Sequence, residues 1–139
     1  MLQFLLDTDH LTLMHYHHAP LVGRLALQPS DSVGVSAVTL EEALRGRLAA
    51  ISAAKLGPAR VLAYARLLAT VSLLRPMNLV EFDQKSEVEF QHLRSIRLRI
   101  GVQDLKIAAV ALVNNLTLLT RNRHDFGQIP GLTIDDWSV

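Results

Sequence analysis

The sequence contains no cysteine, which rules out disulfides and thiolate metal ligands. A cysteine-free chain suits a reducing compartment, and the expected location is the cytoplasm. Aromatic residues make up only 5% of the 139 residues, too few to suggest a stacking platform for single-stranded nucleic acid. Charge of one sign is also lacking. Lysines and arginines number 14 against 13 acids, a formal net charge of +1, so no global field announces a polyanion partner. Long hydrophobic runs are missing too: the most apolar stretch, VLAYARLLATVSLL from Val61, carries Arg66 and is too short to span a bilayer. The apolar run at residues 2–6 is broken by Gln3 and lacks the basic leader of a signal peptide. No Gly-rich phosphate loop, HExxH pattern or Ser-His-Asp arrangement is present.

What is present is an alternation of short apolar runs and longer helical patterns. LQFLLD (2–7), SVGVSAV (32–38), MNLVEF (77–82), LTLLT (116–120) and LTIDDW near the end read as strands. Between them, HLTLMHYHH, LVGRLALQ, TLEEALRGRLAAISAAK, the stretch from Gly57-Pro58 to about Leu74, DQKSEVEFQHLRSIR and VQDLKIAAVALVNN read as helices. Thr39 is the expected N-cap of the third helix, with Glu42 three residues on as its capping-box partner. The alternation predicts one α/β domain over residues 1–139, with a mostly parallel sheet covered on both faces.

In open parallel sheets, ligands bind at the carboxyl ends of the strands. Asp7 immediately follows the first strand, and Glu42 lies in the first turn expected for the helix after the second. Asp104 opens a helix behind Gly101, and Asp125, with Asn122, follows LTLLT. Four acids far apart in sequence are thus predicted on one rim. Two carboxylates about 4 Å apart repel by roughly 4 kcal/mol at an effective dielectric near 20. Protonation relieves this, or a hard dication such as Mg²⁺ or Mn²⁺, which prefers oxygen ligands. Hydrolysis of a phosphodiester is the natural chemistry of such a site. Glu41 competes with Glu42, but consecutive helical residues point about 100° apart, so only one can face the rim.

LLDTD at 5–9, VSAVTLEEALRG at 35–46, IGVQDLKIAAVAL at 100–112 and LTLLTRNRHDFGQIPGL at 116–132 resemble, in order and spacing, the PIN-domain ribonucleases, most nearly the VapC-type toxins of toxin–antitoxin pairs. The resemblance implies a three-layer α/β/α sandwich, Mg²⁺ or Mn²⁺ dependence and endonucleolytic cleavage of RNA. It assigns the catalytic and metal-holding acids to Asp7, Glu42, Asp104 and Asp125. Thr8, Thr120 and Asn122 match accessory polar positions. It also implies a homodimer and a cognate antitoxin that covers the active site. In one place the sequence departs from the pattern: Asp9 stands where asparagine is common. The slot of Asn122, acidic in some PIN domains, is neutral.

Two other readings stay open. An apolar strand followed by Asp-x-Asp also begins the haloacid-dehalogenase-like phosphatases, with Asp7 as nucleophile and Asp9 as general acid. Against it, His10 replaces the usual glycine, and Glu42 and Asp104 would have no task. The second is a non-catalytic partner-binding module, suggested by the apolar surface of the two helices between Thr39 and Leu74. Arg94, Arg97 and Arg99, with Arg121 and Arg123, are candidates to line a path for an RNA backbone. His15, His17 and His18 could form a transition-metal site or simply decorate a surface helix. Trp137 is expected to serve packing.

Overall fold

The computed structural model describes all 139 residues. Twelve elements run in order: β1 (Phe4–Leu6), α1 (Thr8–His15), α2 (Ala19–Ala26), β2 (Val33–Ser36), α3 (Ala37–Ala53), α4 (Gly57–Leu74), β3 (Asn78–Val80), α5 (Gln84–Ser95), α6 (Val102–Val113), β4 (Thr117–Leu119), α7 (Arg123–Phe126) and β5 (Ile134–Asp135). The strands form one sheet in the order β3-β2-β1-β4-β5, every pair parallel. Strand β1 is central, paired Leu5 to Gly34 and Leu5 to Leu118, so the strand order reverses beside it. That reversal leaves a crevice at the carboxyl edge of β1 and β4.

Alternation along each strand divides the core in two. Leu5 and Leu118 point to one face, where they meet Ile107 to Ala111 of α6 and Phe90 and Leu93 of α5. Leu6, Leu119 and Val35 point to the other, against Leu11 of α1, Leu21 of α2, Leu74 of α4 and Trp137. The expected α/β/α sandwich with a parallel sheet is the observed architecture. Three consecutive small side chains in α6, Ala108, Ala109 and Val110, are fully buried and let that helix lie close to the strands. Trp137 serves packing, its ring 4.7 Å from that of Phe4.

Two local readings need correction. The N-cap of α3 is Ser36, the last residue of β2, whose hydroxyl accepts the Thr39 N–H at 3.1 Å. The strand turns directly into the helix, so Thr39 sits in the first turn and Glu42 in the second. Likewise α1 starts at Thr8, capped by Asp7, which accepts the His10 N–H at 2.7 Å. The four-residue helix α7, capped by Asn122, has no counterpart among the expected elements; it is too short to carry a periodic pattern.

Helices α3 and α4 form a hairpin that leaves much apolar surface uncovered. Leu48, Leu62, Tyr64, Leu68 and Val71 are between 44% and 68% exposed. No helix is long and apolar enough to cross a membrane.

Gly34 marks the tightest point of the sheet. A Cβ there would lie 2.9 Å from the Asn78 carbonyl oxygen and 3.0 Å from Leu2 Cδ1. Gly34→Ala is expected to lower unfolding stability by roughly 1–3 kcal/mol through overpacking, read by chemical denaturation.

Candidate active site

The carboxyl edge of the sheet opens into a cavity of about 360 Å³ lined by Asp7, Thr8, Asp9, Thr12, Glu42, Asp104, Asn122 and Phe126. Each acid arrives on a different element. Asp7 is delivered by the turn from β1 into α1, Glu42 by the second turn of α3, and Asp104 by the first turn of α6. Three of the four predicted acids therefore line one cavity. The fourth, Asp125, is not among its lining residues. It stands in the first turn of α7, where Asn122 Nδ2 donates to its Oδ2 at 3.0 Å and its own N–H donates to Asn122 Oδ1 at 3.1 Å.

Hydrogen bonds fix these groups. The Thr8 hydroxyl donates to Glu42 Oε1 at 2.6 Å, tying α1 to α3. Buried Thr120 stays out of the cavity, and its hydroxyl accepts the Asn122 N–H at 2.9 Å, shaping the turn after β4. Glu41 faces away, paired with Arg45 and accepting from Gln103 Nε2 at 2.8 Å. The choice of Glu42 over Glu41 follows from that geometry.

None of Asp7, Glu42, Asp104 or Asp125 forms an ion pair with a lysine or arginine. Their repulsion is visible at Asp104. Burial, followed by the charges of Glu42, Asp7 and Asp125, pushes its carboxyl up to about 6 from the ordinary value of 3.8.

Asp9 is a different kind of group. Arg121 grips it with two hydrogen bonds, Nε to Oδ2 at 2.7 Å and Nη2 to Oδ1 at 2.8 Å. Those bonds hold the Asp9 carboxyl below the usual carboxylate range. An acid so held makes a poor proton donor, which removes the motive for the phosphatase reading. Asp7, Asp9 and His10 also bring ligand-type atoms within 4.8 Å of one another. That trio does not suit a cation. Asp9 is already neutralised, and His10 Nε2 accepts the Trp137 N–H at 3.2 Å, which leaves the proton on Nδ1. Asp7, Glu42 and Asp104, uncompensated and all oxygen, fit a hard dication far better.

The arginines are scattered in their tasks. Arg94 lies over the Phe90 ring at 5.7 Å, Arg121 is committed to Asp9, and Arg123 is exposed on α7. Arg97 occupies a left-handed backbone position after α5. None of them lines the acidic cavity. His15, His17 and His18 do not gather; His18 Nε2 instead meets the Ser138 carbonyl at 2.7 Å.

The model of the PIN domain family matches residues 5–132. The chain belongs to the PIN-domain family. This PIN domain is 34% identical over 68 residues to "Ribonuclease VapC2" of Rickettsia felis, a match covering 46% of this chain and 51% of that protein. It is 24% identical over 141 residues to the "tRNA(fMet)-specific endonuclease VapC" of Salmonella typhimurium, covering 99% of each. Among solved structures, the DNA-bound VapBC of Salmonella typhimurium superposes with a TM-score of 0.79 at 23% identity, covering 99% of both chains. At that identity the likeness speaks for the fold alone.

Asp104 gives the site a pH signature. Its carboxyl binds its proton more tightly folded than unfolded, so between pH 4 and about 6 the native state holds more protons and stability falls as pH rises. In EDTA, Asp104→Asn is therefore expected to be the more stable protein at pH 7. The gain is about 1 kcal/mol after allowance for solvent screening, and it vanishes near pH 4. Denaturation curves across that range check the sign.

Proposed function

We propose that this PIN domain is a Mg²⁺- or Mn²⁺-dependent endoribonuclease, the toxin of a toxin–antitoxin pair, which hydrolyses RNA phosphodiester bonds. The observation that carries the reading is that Asp7, Glu42 and Asp104 line one cavity with no basic partner, where burial and then neighbouring negative charge raise Asp104 to about 6. Their oxygen chemistry fits a hard dication. When bound, such an ion supplies Lewis-acid polarisation of the phosphoryl group and acidifies water.

The chain's own residues have separable roles in this reading. Asp7, Glu42 and Asp104 would hold the ion, whose positive charge would offset the burial and repulsion that raise Asp104. Thr8 keeps Glu42 turned inward through its 2.6 Å hydrogen bond. Asp125 and Asn122 act as a linked pair, with Asn122 facing the cavity and Asp125 adding negative charge behind it. Thr120 acts at one remove, by holding the turn that presents Asn122. Arg94, Arg97 and Arg123 are assigned to the RNA backbone outside the cavity, where they would add to affinity without touching the scissile bond, while Arg121 stays engaged with Asp9.

An antitoxin partner is supported by the relatives, whose names include VapC ribonucleases, and by the similar solved structures, which include VapBC complexes. We carry over a cognate antitoxin from them, and a homodimer from the resemblance of the sequence to the family. The uncovered apolar side of α3 and α4 supports both, since exposed patches of that kind mark contact surfaces. The reaction is set in the cytoplasm, where RNA is at hand.

The purified chain, freed of any partner, is expected to cleave RNA with Mg²⁺ or Mn²⁺ and to stop in EDTA. Asp7→Asn and Asp104→Asn should each lower the rate roughly 100-fold or more while leaving the circular-dichroism spectrum unchanged. Undiminished cleavage in both variants would overturn the site. A partner-binding module without catalysis would instead show complex formation and no cleavage under any metal.

A further inference from the structure

His10 is fully buried, and both ring nitrogens are addressed by groups that matter. Nε2 accepts the backbone N–H of Trp137 at 3.2 Å. A peptide N–H can only donate, so Nε2 carries no proton and the neutral ring carries it on Nδ1. Asp136 also lies near, its Oδ1 3.7 Å from Nε2, but that oxygen is occupied by the N–H and hydroxyl of Ser138 at 2.8 and 2.5 Å. Nδ1 is the one buried side-chain polar atom in the chain without a hydrogen-bond partner. The polar atom of Asp7 nearest to it is Oδ1, 3.5 Å away and outside hydrogen-bond geometry.

Asp7 Oδ1 is thus approached twice by one residue, at 2.7 Å by the His10 backbone N–H and at 3.5 Å by its ring. Oδ2 makes no hydrogen bond within the chain and is left to the cavity. An unpaired buried donor beside a carboxylate is a costly arrangement unless the pair tightens in another state. A dication held by Asp7 would require that carboxylate to keep one orientation, and a donor on Oδ1 would supply it while leaving Oδ2 free.

We propose that His10 is a positioning residue. Its Nδ1–H, held in that tautomer by the backbone of Trp137, orients Asp7 for the dication and couples the carboxy-terminal segment to the acidic cavity. The inference rests on the reading of Asp7 as a metal ligand and adds a second layer to it.

Two substitutions separate positioning from simple packing. In His10→Asn the amide nitrogen occupies the place of Nδ1 and can donate to Asp7, but nothing reaches Trp137. In His10→Gln an amide oxygen can accept the Trp137 N–H, but no side-chain donor is left for Asp7, which keeps only the backbone N–H of residue 10. Mn²⁺ binding to the nucleic-acid-free chain, followed by calorimetry, is expected to weaken roughly tenfold or more in His10→Gln and to stay within about threefold of wild type in His10→Asn. The opposite order, or wild-type affinity in His10→Gln, would overturn the proposal. Wild type and Asp104→Asn run alongside: no Mn²⁺ binding by wild type would overturn the metal reading itself, a failure distinct from the order of the two His10 variants. Should either variant fail to fold, ¹⁵N spectra of the wild type decide. They should show the Nδ1–H tautomer and a shift of that resonance on adding Mg²⁺; an Nε2–H tautomer or an unmoved signal refutes the role.

Discussion

Mutual repulsion among carboxylates at the sheet edge is the constraint around which this molecule is organised. Asp7, Glu42 and Asp104 come from three different elements and are held together by a frame that gains nothing electrostatically from their company. The frame can bear this because each acid is anchored by unrelated forces. Leu5 and Leu6 bury β1 on both faces, Ser36 locks the start of α3, and small buried residues seat α6 against the strands. Rigidity of this kind is what a preorganised charge site requires, since a looser scaffold would let the acids drift apart.

The same edge shows how differently one residue type can be used. Asp9 stands two residues from Asp7, yet a fork of Arg121 makes it a structural ion pair with no charge to spare. Glu41 stands beside Glu42 and is turned outward to Arg45 and Gln103. Orientation and partner, not composition, separate acids that can hold a cation from those that cannot.

Much of this was legible in the residues. Short apolar runs such as Phe4–Leu6, each ending in an acid or a hydroxyl, mark the strands. The rim position of Asp7, Glu42 and Asp104 follows from their places after strands and at a helix start. The misses share a physical cause. Ser36 and Thr39 are both good caps, and only the point at which β2 ends decides between them. Helix α7 is a single turn fixed by Asn122, below the length at which periodicity speaks. The Arg121–Asp9 and Trp137–His10 contacts join residues 112 and 127 positions apart, and no local pattern encodes such pairs. Nor does anything in a lone histidine after Asp-x-Asp announce that its ring is buried.

The central position of β1 has a consequence for the order in which the molecule is made. Strand β1 is flanked on one side by β4, and β4, Asp104 and the backbone that meets His10 are all synthesised long after it. A nascent chain therefore carries Asp7 and Glu42 but cannot close the acidic cavity until α6 has been translated. Closure of that cavity is thus a late event in the life of the nascent chain.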